Sequence, residues 1–222
     1  MSPTVRRSLA ACGILAPAVF GGAAIAGASA QGGYDSRRED LSALAALDAR
    51  HGWIMIAGMI ALGTLIACLA LAVGGGRPWT LAAAPLLTAG IATAAAGVLR
   101  IDCSERVDAT CAARSAAGQL SWHDNAHNAM AVLIVLAFAL APLAAAARLR
   151  GTPGGRRLAM MSLTISAALA LLAGLYFSDA LPAWSGVVQR AIAGVALAWA
   201  AAVGVRVLRR GELVAARAPG PP

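Results

Sequence analysis

The chain has 222 residues, of which 59% are hydrophobic and only 13% charged, and its formal net charge at pH 7 is +8. Soluble domains carry about 25% charged residues, so this composition excludes a protein that covers its surface for water. A basic balance suits nucleic acid only when it is spread over one folded face; here it alternates from loop to loop, which excludes a nucleic-acid surface.

A span needs roughly 20 apolar residues to cross a ~30 Å hydrocarbon core. Ser8 to Tyr34, Gly52 to Gly76, Pro78 to Leu99, Asn125 to Ala147 and Leu158 to Ser178 carry no charge, and Ala180 to Val205 carries Arg190 alone. The pattern predicts an all-α membrane protein, a six-transmembrane-helix bundle with the lipid bilayer as its solvent. One membrane domain fills residues 1–222, with spans at about 9–30, 52–74, 79–99, 125–147, 158–178 and 186–205, and 206–222 as a mobile basic tail. One set of loops holds eleven arginines against Glu212 alone; the other holds seven against nine acids. Positive charge is retained inside, so both termini are expected in the cytoplasm of a multi-pass cell-membrane protein.

In chain order, Arg6, Arg7, an apolar run and Ala28-Ser29-Ala30 imitate a cleavable signal. The run is nearer a full span than a signal core. Cleavage would leave five spans with the two ends on opposite sides, so residues 1–30 read as a retained helix. Ser42 to Leu47 has apolar residues at helical spacing, which predicts a short helix lying on the membrane surface. Trp53 stands where an interfacial anchor belongs. Gly74 to Pro78 reads as a turn, with Trp79 opening the third span.

Arg100 to Asn128 is the largest polar stretch. Cys103 and Cys111, seven residues between them, face an oxidising side and read as a loop disulfide; a metal pair with the nearby histidines is the alternative. Cys12 and Cys68 fall within spans and read as apolar fillers. Ser121 to Asp124 fits a capping box, with an acid reaching back from the third position. His123 and His127 lie one helical turn apart, a spacing able to grip a divalent metal such as zinc. Asp124, Asp102 or His51 would complete that site; the alternative is two polar interface residues and no cofactor. Arg190, just inside the last span, is costly unless paired. Asp102 and Asp179 sit at the same depth, which predicts an ion pair across helices, with an anion or headgroup contact as the other reading.

Tyr34-Asp35, Arg38, Ser42 and Leu44 followed by Trp53 and Gly63, then Asp102 with His127, then Gly186 to Arg190, together resemble the prokaryotic membrane family called domain of unknown function 998. The likeness runs from the first span to about Arg210, and the long two-cysteine loop departs from the commoner pattern. The family carries no activity across. The resemblance implies that Tyr34, Arg38, Ser42, Asp102, His123, Asp124, His127, Asp179, Gln189 and Arg190 converge in one cluster at one end of the bundle.

Three functions follow from these residues. The first is a structural, accessory or small-molecule- or lipid-binding bundle with an outward polar pocket. The second is a membrane-embedded lipid hydrolase or transferase with a metal-activated water. The third is a transporter, against which no charge sits mid-span. The sequence contains no G-x-S-x-G, no H-E-x-x-H and no P-loop.

Overall fold

A computed structural model describes residues 1–75, 80–152 and 155–215. The described residues form helices and contain no strand. Seven α-helices follow in order: α1 Pro3–Ala30, α2 Trp53–Gly74, α3 Thr80–Val98, α4 Ala109–Ala116, α5 Trp122–Leu149, α6 Arg156–Phe177 and α7 Ser185–Ala215. All but α4 are long and apolar enough to cross a membrane. Trp79 and residues 76–78 of the expected turn lie outside the described residues, as do 216–222 of the basic tail. The last helix continues past Val205 to Ala215.

The six long helices close into a ring in the order α1, α2, α3, α5, α6, α7, with α7 returning to α1. The tightest packing joins α2 to α3. A Cβ on Gly63 would stand 2.5 Å from the Gly90 carbonyl oxygen, and one on Gly90 would stand 2.7 Å from the Gly63 oxygen. In lipid, where apolar burial no longer drives association, such close backbone approach supplies the dispersion contact that holds helices together. The sparsest junction is α6 against α7. Prolines at 17, 85 and 142 lie inside spans, where neighbouring helices can satisfy the freed carbonyls.

Residues 31–52, 99–121 and 178–184 cover one end of the ring, called here the capped end. Trp53, Trp122 and Trp184 are exposed at the capped ends of α2, α5 and α7, the depth at which amphipathic rings prefer a headgroup layer. The expected surface helix at Ser42 to Leu47 is corrected. The segment is a 3-10 helix, Leu41–Ala45, and Leu41, Ala43, Leu44, Ala45 and Ala46 are buried. Its residues are small and apolar on every side, so it has no charged face to hold against headgroups. It inserts between the helix ends instead, where Gly27 of α1 leaves room for Leu44.

Candidate functional site

The capped end is built from two clasps. In the first, the opening turns of α7 hold residues 34–41. Ser185 Oγ donates to the Arg38 carbonyl at 2.5 Å, and the Val187 amide donates to the Arg37 carbonyl at 3.2 Å. Gln189 Oε1 accepts from the Leu41 amide at 2.5 Å. Arg190 donates to the Glu39 carbonyl (3.0 Å), the Gly186 carbonyl (2.8 Å) and the Tyr34 hydroxyl (2.5 Å). Tyr34 in turn donates to the Asp40 carbonyl at 2.9 Å. A side chain on Gly186 would strike the carbonyls of Ser36 and Glu39, so the approach requires glycine there.

This corrects the expected ion pair. Arg190 meets neither Asp102 nor Asp179; it satisfies backbone carbonyls. The physical reason is that the irregular loop packed on α7 leaves carbonyls that no helix fills, and Arg190 is within reach of them. Asp179 pairs with Arg106 instead, on a left-handed backbone (φ 52°). Arg38 is exposed and reaches the Arg106 carbonyl at 3.4 Å.

The second clasp joins the end of α3 to the start of α5. A helix leaves its last carbonyls unpaired, and the two histidines meet them. His127 Nδ1 lies 2.9 Å from the Ala96 oxygen and 2.6 Å from the Leu99 oxygen. His123 Nδ1 lies 2.8 Å from the Arg100 oxygen. Both contacts of His127 Nδ1 are acceptors, so that nitrogen carries a proton. Asp102 accepts from the Ser121 hydroxyl (2.5 Å) and amide (2.9 Å), with Arg114 at 3.4 Å.

The capping box is half realised. Ser121 Oγ accepts from the Asp124 amide at 3.3 Å, but the Asp124 carboxylate does not reach back. It takes the Asp102 amide at 2.8 Å and Asn128 Nδ2 at 3.1 Å, because the Ser121 amide is already held by Asp102. Arg100 bridges the clasps by donating to the carbonyls of Ala45 and Ala46. Cys103 and Cys111 form a disulfide, Cα to Cα 6.0 Å, that ties α4 to the loop.

Between the clasps lies a polar vestibule of about 510 Å³. Below it, toward the membrane centre, is a largely apolar cavity of about 130 Å³ walled by Phe20, Met55, Ile134, Phe138 and Leu197 among others. Ser42, Ala131, His127 and Gln189 line both and stand at the neck where the two adjoin. Of the ten residues expected to converge, Ser42, Asp124, His127, Asp179 and Gln189 line the vestibule. Tyr34, Arg38, Asp102, His123 and Arg190 stand in the clasps behind it.

Sequence reasoning missed Asp40, Arg106 and Tyr176 on the vestibule wall. Asp40 and Arg106 were read only as loop charges; a hydroxyl-bearing ring at the end of an apolar run was the available signal for Tyr176. Burial pushes the Asp40 carboxyl above the usual carboxylate range, against the pull of the Tyr176 hydroxyl and Arg106. Its Oδ1 is buried without a hydrogen-bond partner. The Ser121 hydroxyl, chiefly, holds Asp102 below that range. Among the described residues no group of three or more His, Cys, Asp or Glu side chains is placed to hold a metal ion, and His123 is off both cavity walls.

Two measurements check the clasps. Arg190→Ala should cost about 1–3 kcal/mol in detergent unfolding, since it strands buried carbonyls. Tyr34→Phe should add markedly less on that background than alone, whereas Asp102→Ala should add its full cost. Because the folded state depresses the Asp102 pKa, its stabilisation is present above about pH 4 and is lost as pH falls through the depressed value. Asp102→Asn should therefore lower the thermal midpoint at pH 7 and flatten its fall below pH 4.

The family described as "Protein of unknown function (DUF998)" matches residues 14–206. No curated protein and no solved structure matches the chain. The matched span takes in both clasps, the whole of α2, α3, α5 and α6 and most of α1 and α7, and the chain belongs to the DUF998 family, whose function is unknown.

Proposed function

We propose that this protein binds a small amphiphile from the side opposite its termini, as a non-enzymatic receptor or accessory bundle. The observation that carries the reading is a polar vestibule of about 510 Å³ beside an apolar cavity of about 130 Å³, the two sharing four lining residues. Small-molecule sites pair an apolar wall with a few placed polar groups, and this arrangement suits a head in one chamber and a chain in the other. The rest of the polar inventory supports it. The clasp side chains are occupied with backbone groups and hold the walls, and both histidines use Nδ1 on α3 and its following turn.

The arginine distribution supports an outward capped end and cytoplasmic termini. Asp48→Cys, exposed at the capped end, should react in intact cells with a maleimide that cannot cross the membrane, while Gly151→Cys should not. The reverse pattern rejects the orientation.

Binding is tested with radiolabelled 1-octanol on the purified protein in a bead-proximity assay. Saturable binding is expected, weakened at least tenfold by Ala131→Trp, which fills the neck, with the thermal midpoint checked for retained fold. No saturable binding, or binding that Ala131→Trp leaves intact, rejects the amphiphile reading.

A further inference from the structure

The chemistry of the head group follows from what the vestibule leaves unspent. Its wall carries Asp40, Glu105, Asp124 and Asp179 against a single cation, Arg106. Arg106 is engaged: it pairs with Asp179, lies 4.0 Å from Asp40 Oδ2, and stacks 5.7 Å over the Tyr176 ring. Both Asp124 oxygens already accept hydrogen bonds. An anionic head would therefore meet excess negative charge and no free cation.

Besides the exposed Glu105, two side chains on the wall have an atom without a partner among the described residues. Asp40 Oδ1 is buried and has no partner, which in a native fold calls for an explanation. His127 is 3% exposed and lines both chambers. Its Nδ1 proton is held by two carbonyls, and Nε2 has no partner among the described residues. A buried acceptor without a donor, as Asp40 Oδ1 is, is costly, and a ligand bearing N–H donors removes that cost. A bare metal ion would need more ligands than one carboxylate and one imidazole provide, and no group of three is present among the described residues.

We propose that the two chambers hold a single-chain primary ammonium amphiphile, its head donating to Asp40 and His127 and its alkyl chain passing the Ser42–Gln189 neck into the apolar cavity. This rests on the amphiphile-binding reading and adds the charge and donor character of the head. The ammonium group comes either from an amine-headed lipid of the surrounding leaflet or from a free amine in the aqueous phase.

The test uses octylammonium, 1-octanol and octanoate competing against radiolabelled 1-octanol on the full-length protein in neutral detergent. Octylammonium should compete at least tenfold more tightly than 1-octanol, and octanoate more weakly than either. From butylammonium to hexylammonium, affinity should rise roughly threefold to fourfold per methylene and then level off as the inner cavity fills. Asp40→Asn should bring the ammonium-over-octanol preference toward one.

Equal affinity for the three head groups, or a preference that survives Asp40→Asn, overturns the proposal. So does an affinity that ignores chain length. If Asp40→Asn does not fold, the head-group and chain-length series on the unmodified protein decide alone. Octanol binding without charge preference removes only the head-group assignment; absence of octanol binding removes the amphiphile reading itself. Native mass spectrometry of protein drawn directly from membranes separates the sources. A co-purifying amine-headed lipid displaced by octylammonium identifies the leaflet, and protein that arrives empty and then takes up octylammonium identifies the aqueous phase.

Discussion

Six helices packed in a single ring enclose an interior that side chains and loop backbone have to fill. Everything at the capped end follows from that geometric constraint. Toward the terminal end, Ile66, Leu69, Leu86, Val73 and Leu149 fill the interior with side chains. Toward the other end the chain sends in its own backbone, the 3-10 helix Leu41–Ala45. A 3-10 turn is shorter than a helix and does not fill the space completely. The remainder is the pair of chambers.

Inserting irregular backbone between the helix ends creates a second requirement. Its buried carbonyls need donors that no helix supplies. The protein meets it with long cationic side chains and imidazoles pointed at oxygen atoms of the main chain. Arg100 serves Ala45 and Ala46, Arg190 serves Glu39 and Gly186, and His127 serves Ala96 and Leu99. The one-turn spacing of His123 and His127 has its explanation here, because the chain leaving α3 presents acceptors at successive heights alongside α5.

The number of spans was readable because burial in lipid demands long uncharged runs, and those survive any detail of packing. The disulfide was readable because compartment and spacing suffice for it. The partners of Arg190 were not. Depth in the sequence brought Asp102 and Asp179 level with it, but hydrogen bonds to carbonyls leave no trace in residue identity. The segment at Ser42 was misplaced for a related reason: spacing says that residues share a face, and cannot say whether that face meets headgroups or the inside of a ring. Asp40, Arg106 and Tyr176 belong to three separate segments and come together only through tertiary contacts of Arg106 with Asp40 and with the Tyr176 ring.

The two edges of α6 differ in how they are fastened. Near its terminal end, Trp199 Nε1 donates to Ser162 Oγ at 3.3 Å, and Ser166 Oγ donates to the Ala139 carbonyl at 2.7 Å. Near the capped end the hydrogen bond recorded to α7 is the long one, 3.4 Å, from Gln189 to Tyr176. At its head α6 is held instead through Arg106, which stacks on the Tyr176 ring and pairs with Asp179 just beyond the helix. The wall of the upper chamber on this side is thus tied to the loop after α3 more firmly than to α7, its neighbour in the ring.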